Sequence, residues 1–264
     1  MTRSAALTVA VALTIATTIP SASAAGFDYA FTCNQASLTA DFAQRDAMPH
    51  TETPPSRWYE QRDGHYLNGG WGPSAAALPG VAVPPDAGCD ATTWKQERIL
   101  STALHYVNDG GNPQGLQYRH HHIPDWDPPT STITAAGEKS DEQDGQSPDT
   151  WGPGRGLDCS NFTAWVYNFG LGIKFGGSVV KQYAGTAGPM GQRIPAQGPF
   201  QLGDLLYLHP DADTSKTSHV VIFIDDNHII DSRLNAQNVA GVQVRDRQGW
   251  YRTAVLGGWR PIGG

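Results

Sequence analysis

A thiol, an imidazole and a carboxylate follow one another in the chain as Cys159, His219 and Asp231, each on a segment able to aim it. Cys159 stands just after Asp158, at the head of an apolar pattern in which Phe162, Trp165, Val166 and Phe169 share one helical face, so the spacing predicts a helix over about 158–169. In a helix's first turn the backbone N–H groups have no partner within the helix and carry partial positive charge. A cysteine there, beside a histidine, can have its pKa lowered from about 8.5 to between roughly 3.5 and 7.5. Asp158 can cap this helix, and the Cys159 N–H is free to face a developing oxyanion. His219 opens a second apolar run, which reads as a strand over 219–224, and Asp231 follows twelve residues later, beyond a turn at Asp226 and Asn227. A tight hairpin would bring the carboxylate to the second ring nitrogen of His219. Nucleophile, base and orienter then stand in the order Cys, His, Asp, which is the equipment for acyl transfer through a thioester.

The plainer account of a lone cysteine is an inert buried side chain, so the rest of the chain has to justify the reactive one. Residues 5–19 are mostly apolar, follow Arg3 and lead to Ala22, Ser23 and Ala24, a small-residue site, so residues 1–24 read as a signal peptide removed on export. The run is shorter than the roughly 20 residues a spanning helix needs, and no later stretch is apolar enough to span. The mature protein is therefore expected outside the cytoplasm, in the periplasm or cell wall or secreted. In an oxidising compartment cysteines tend to pair, and one of the three must be left over. Cys33 and Cys89 both lie in the Pro/Gly-rich N-terminal part, whereas Cys159 opens a helix, so Cys33 and Cys89 are expected to form a disulfide worth roughly 4 kcal/mol. Cys159 is the free thiol. A formal charge of -7 argues against a nucleic-acid partner, which rewards clustered Lys and Arg, and against simple electrostatic capture by an anionic polymer.

The elements that must position these groups can be read in outline. Residues 25–92 carry many turn-formers and no sustained period, as expected of an irregular module held by its disulfide. A helix is predicted from Thr92 or Thr93, with Ile99, Leu100, Ala103, Leu104 and Val107 on one face and Gly110 and Gly111 as its stop, packing on the sheet of the following domain. Residues 119–150 have no regular pattern and read as a long loop. After the Cys159 helix come strand signals at 204–208, 219–224, 228–232, 242–244 and near 255–259, as in an antiparallel meander. Helix first and sheet second makes 93–264 an α+β domain.

These residues resemble the NlpC-type cell-wall peptidases, which are papain-like. The matches are Gly156, Leu157, Asp158, Cys159 and Ser160 with Phe162, the strand beginning at Gly203, Asp204 and Leu205, and His219 opening a hydrophobic strand with a polar third member at Asp231. The resemblance covers about 93–264 and not the disulfide module. It implies a Cys-His-Asp thiol peptidase without cofactor, cutting the peptidoglycan stem between D-isoglutamate and the following diamino acid, and acting as a monomer. It also implies that a tyrosine ahead of the cysteine shapes the oxyanion site, for which Tyr118 is the candidate, with Trp151 and Gly152 resembling the family's tryptophan-glycine element. Asp158 and Ser160 would meet a substrate amine in addition to capping. Three departures stand out: Asn161 replaces the usual Gly, about forty residues separate Tyr118 from Cys159, and Asp231 occupies a position more often His, Asn or Gln.

Other features have simpler readings. His120, His121 and His122 invite a zinc site, but neighbours on an extended segment point to alternate sides and cannot easily face one ion, so no metal is expected. Trp126 could wall a substrate groove or simply pack. The acidic stretch Glu138, Asp141, Glu142 and Asp144 is most simply a solvated loop. Two other functions compete with a stem endopeptidase: an amidase, transpeptidase or acyltransferase using the same three residues, and a non-catalytic wall-binding module, against which the complete triad speaks.

Overall fold

A computed structural model describes residues 27–34, 36, 77, 79–109, 112, 115–116, 118, 157–211, 213–234 and 241–263, and the backbone alone of 21–24, 61–62 and 65–66. The expectations placed on His120, His121, His122, Trp126, the acidic stretch, Trp151, Gly152 and Gly156 lie outside the described residues. In chain order the elements are β1 (Ser21–Ala24), β2 (Phe27–Ala30), β3 (Gln61–Arg62), β4 (His65–Tyr66), α1 (Ala91–His105), α2 (Cys159–Leu171), α3 (Val179–Ala184), β5 (Gln192–Ile194), β6 (Leu205–Leu208), β7 (His219–Phe223), β8 (His228–Arg233), β9 (Gly241–Asp246), α4 (Trp250–Thr253) and β10 (Val255–Arg260).

The last six strands form one antiparallel sheet in the order β5-β10-β6-β7-β8-β9. β6 and β7 are buried along their whole length, so they read as unbroken apolar runs and not as alternation. Side-chain parity still sorts the two faces. Leu205, Tyr207, Val220, Ile222, Ile230 and Val242 join the main core. Leu206, Leu208, Val221, Phe223 and Ile229 form a second cluster under Tyr251 and Ala254.

The helix bearing Cys159 is buried at every position, which requires neighbours on all sides. It packs against β7 and β8 on one side and α1 on the other. Gly172 ends it at φ 73°, with its N–H on Asn168 O and that of Ile173 on Tyr167 O. The expectation that α1 packs on the sheet is thus corrected: α2 lies between, and α1 covers α2. Their approach needs Gly170, where a Cβ would stand 2.7 Å from Thr102 Oγ1.

The described part of the N-terminal segment is fastened to α1. Cys33 and Cys89 form a disulfide with Cα atoms 5.5 Å apart. On α1, the Glu97 carboxylate accepts from Thr32 N at 2.8 Å, Thr32 Oγ1 at 2.6 Å and Cys33 N at 2.9 Å, while Trp94 Nε1 donates to Asn34 O at 3.0 Å. Asp90 caps α1 by accepting from the N–H groups of Thr92 and Thr93. Beyond the helix the chain runs along the free edge of β9: Asn108 N donates to Val242 O at 2.8 Å and Val242 N to Leu116 O at 3.0 Å. That covers an exposed sheet edge and carries the chain toward Tyr118.

Candidate active site

Cys159 is the first residue of α2, and the Asp158 side chain caps that helix by accepting from Asn161 N at 2.8 Å. The capping carboxylate also accepts from Ser160 Oγ at 3.1 Å and Asn161 Nδ2 at 2.9 Å, so the Asn that replaces the usual Gly is a second hand on the cap. Asp158 and Ser160 are about 4% and 5% exposed and bonded to each other. Capping accounts for both. Contact with a substrate amine would require one of those bonds to open.

His219 and Asp231 meet because of strand parity. Ile222 pairs with Ile230 and Phe223 with Ile229. Continuing that register sets Asp231 opposite Val221, a diagonal neighbour of His219 on the same face. His219 Nε2 and Asp231 Oδ2 are 2.7 Å apart. Since the carboxylate accepts, Nε2 carries the hydrogen, and Nδ1 is left with the lone pair a base needs.

Two further donors close on Asp231, neither of them singled out from sequence. Arg245 Nε donates to Oδ1 at 2.6 Å and Tyr251 OH to Oδ2 at 2.9 Å. Arg245 is opposite Ile229 in the β8-β9 ladder, hence diagonal to Asp231 and on its face. Burial pushes the Asp231 carboxyl up, but its hydrogen bond and charge interaction with His219, and then Arg245, outweigh burial and hold it below its ordinary value. Trp250 flanks the histidine with ring centroids 5.7 Å apart, and its Nε1 is held by His209 O at 2.9 Å.

Cys159 and His219 line one cleft of about 290 Å³ together with Tyr118, Ser218, Arg233 and Trp250. Tyr118 is therefore brought to the cleft, two residues beyond Leu116, whose backbone oxygen accepts from Val242 N on β9. Arg233 lies over the Trp250 ring at 4.3 Å and gives the cleft a cationic wall. Cys33 and Cys89 are part of the N-terminal fastening and not of this cleft.

The thiol differs from what a helix terminus alone predicts. Burial pushes the Cys159 thiol up, the negative charge of Asp158 adds to this, and that of Asp231 acts in the same direction. The N–H groups of Val220 and Ser160 work against them. The resting group is a neutral thiol. Gln182, fully buried on α3, steadies this end of α2 by donating from Nε2 to Ser160 O at 3.0 Å and Gly176 O at 2.8 Å. Its Oε1 faces Tyr207 OH at 3.4 Å. A polar residue on a six-residue helix has no periodicity to announce it. Among the described residues no group of three or more His, Cys, Asp or Glu side chains could hold a metal ion.

Comparison with curated proteins returns no match. Among solved structures, an NlpC/P60 family protein from Bacillus cereus ATCC 10987 is 24% identical over 40% of this chain and 32% of its own, with a TM-score of 0.33. A Staphylococcus aureus subsp. aureus Mu50 protein, described as similar to lipoprotein of the NLP/P60 family, is 20% identical over 67% of this chain and 43% of its own, with a TM-score of 0.40. The NlpC/p60 domain of the peptidoglycan hydrolase SagA is 21% identical over 62% of this chain and 97% of its own, with a TM-score of 0.37. The chain spans less than half the length of the first two. Residues 145–258, which carry Cys159, His219 and Asp231, match the family model described as NlpC/P60 family.

Proposed function

We propose that this protein is an exported cysteine peptidase that hydrolyses peptide bonds in the peptidoglycan stem, at the bond between D-isoglutamate and the following diamino acid. The observation that carries this reading is the His219 Nε2 to Asp231 Oδ2 bond of 2.7 Å, on a histidine that shares one cleft with a helix-terminal cysteine. In it, Cys159 Sγ attacks the scissile carbonyl while His219 Nδ1 takes the thiol proton. The same imidazolium then protonates the leaving amine, and water hydrolyses the thioester with His219 again as base. The Cys159 backbone N–H and the Tyr118 hydroxyl are the donors assigned to the oxyanion. Asp231 keeps the ring in the tautomer that leaves Nδ1 as the base. Arg233 offers a cation to a carboxylate of the stem, a chemistry that an acidic peptide satisfies.

Export by cleavage after Ala24 would remove β1, which pairs only along its own short ladder with β2, and leave the described fastening of Thr32 and Cys33 to α1 in place. No described helix is long and apolar enough to cross a membrane. The test is product analysis on purified muropeptides. Release of a dipeptide by the wild-type protein, lost by at least about 10⁴-fold in Cys159→Ala, supports the reading. Intact stems bearing a new acyl group would replace hydrolysis with transfer, and unchanged turnover in Cys159→Ala would remove the nucleophile.

A further inference from the structure

The sheet face opposite α2 carries a second groove, unrelated to the cysteine. It has a volume of about 640 Å³ and lies between the 196–200 turn, the β7-β8 turn at Asp226, and the α4-β10 junction. Its polar lining includes Arg247 and Arg252 beside Gln197, Asp226 and Thr253, and its apolar lining Pro199, Phe200 and Val255. In a chain of formal charge -7, two arginines on one groove are a local reversal of sign.

Arg247 is 7% exposed, yet its Nε has no hydrogen-bond partner among the described residues. Its guanidinium lies 5.3 Å from both the Phe200 and Phe223 ring centroids. Among the described residues the carboxylate paired with it, Asp226, stands 3.8 Å from Nη1 on a side chain that is 89% exposed, too far for a hydrogen bond and well placed for screening by solvent. Arg252 donates from Nη2 to the backbone oxygen of Asp226 at 3.0 Å, which leaves its charge unneutralised. Burial lowers the Arg247 pKa, and repulsion from Arg252 adds to that more strongly than Asp226 opposes it. Arg247 therefore has one loosely placed carboxylate and Arg252 only a backbone oxygen, in a site whose buried member is short of a hydrogen bond. A buried charge in that condition is costly unless something compensates it.

The geometry points to a binding site for a phosphate ester, with the phosphate oxygens between the Arg247 and Arg252 guanidiniums and the organic group on Pro199, Phe200 and Val255. A phosphate meets planar guanidinium forks with paired hydrogen bonds, which a single carboxylate cannot do for two arginines at once. The volume falls within the roughly 300–1,000 Å³ usual for small-ligand sites, larger than an inorganic ion needs. The same chemistry is offered by a free phosphate ester and by a repeating phosphodiester polymer.

The site is tested on the full mature chain by following backbone amide chemical shifts at Asp226, Arg247, Arg252 and Thr253 at constant ionic strength. The probes are inorganic phosphate, glycerol 3-phosphate and a short glycerol-phosphate oligomer. Glycerol 3-phosphate is expected to give saturable shifts confined to this groove, with Kd raised at least about tenfold by Arg252→Gln, an exposed change that spares the core. Arg247→Gln should do the same, provided its shifts elsewhere match the wild type. Tighter binding of the oligomer per phosphate supports a polymer as the ligand, and equal binding supports a free ester. Absence of saturable shifts at tens of millimolar overturns the site. So does binding indifferent to Arg252→Gln, or inorganic phosphate binding as well as its glycerol ester.

Discussion

Replacing Asp231 with Asn changes one oxygen to an NH₂ group and removes one charge at a point where three donors converge. Asp231 is 0% exposed, and the Arg245 side chain is 2% exposed. The amide offers one acceptor oxygen to His219 Nε2, Arg245 Nε and Tyr251 OH, which now sit at 2.7, 2.6 and 2.9 Å from a carboxylate. Whichever way it turns, its NH₂ faces a donor, and the buried ion pair between Arg245 and residue 231 is lost. Breaking a buried pair in this way costs about 3–5 kcal/mol. The measurement is the urea unfolding midpoint of Asp231→Asn against wild type at pH 7 and again under acid. Because the carboxyl is held below its ordinary value in the folded state, the unfolded chain protonates first as pH falls. The stabilisation is complete above about pH 4 and is lost below it, so the gap between the two proteins should close toward pH 2–3. Combining Asp231→Asn with Arg245→Met removes both halves of the pair and should recover part of the loss. A gap under about 1 kcal/mol at pH 7, or a double variant that is simply the sum of the singles, would refute Arg245 and Asp231 as a coupled buried pair.

Asp158→Asn keeps a capping oxygen for Asn161 N but removes the charge that holds the thiol up, so the pH midpoint of Cys159 alkylation by iodoacetamide should fall. An unchanged or raised midpoint would show that Asp158 does not govern the thiol. The raised thiol pKa also means that the unfolded chain ionises first on the alkaline side, so wild-type stability should decline above about pH 8.5 more steeply than that of Cys159→Ser. Parallel stability curves for the two proteins between about pH 8.5 and 10 would contradict this. Replacing Cys33 and Cys89 together by Ser should cost about 4 kcal/mol for a bridge of sequence separation 56, read as a lower thermal midpoint that reductant no longer shifts.

The parts of the site legible in the sequence were those carried by local spacing. His219 and Asp231 sit on adjacent strands joined by a two-sided turn signal, so period-2 parity and a short hairpin were enough to bring them together. Arg245 and Tyr251 reach the same carboxylate from β9 and from α4, a four-residue helix entered through Gly249 at φ 51°. No pattern that short has a period, and charged residues on a strand ordinarily read as solvated. Gln182 was hidden for the same reason. β5 was missed because two of its three residues, Gln192 and Arg193, are exposed, which leaves no apolar alternation. The partner of α1 was misjudged because an apolar stripe states that a helix is covered and not by what. The better clue lay in α2: Phe162, Trp165, Val166 and Phe169 are accompanied by Ala164, Tyr167 and Leu171, apolar all round, which demands a second layer.

The cap and the thiol make opposing demands on one helix end, and this decides where activation must come from. The positive partial charge at the start of α2 should favour a thiolate, but the Asp158 carboxylate that satisfies the end of the helix places its own charge beside Cys159. The dipole is therefore largely used by the cap. In the proposed mechanism, what remains to draw the proton off the sulfur is Nδ1 of His219, helped by the N–H groups of Val220 and Ser160 toward the sulfur as its charge develops. Both the imidazole and the Val220 amide belong to the first two residues of β7, and the ring is fixed by Asp231, itself fixed by Arg245 and Tyr251. On that proposal the reactive ion pair is formed by strand geometry at the moment of attack and is not stored in the resting protein. A neutral, 7% exposed thiol is a poor target for oxidants and for disulfide exchange, since both act on the thiolate. If the protein is exported as proposed, that is the condition under which a free cysteine can persist beside the disulfide of Cys33 and Cys89.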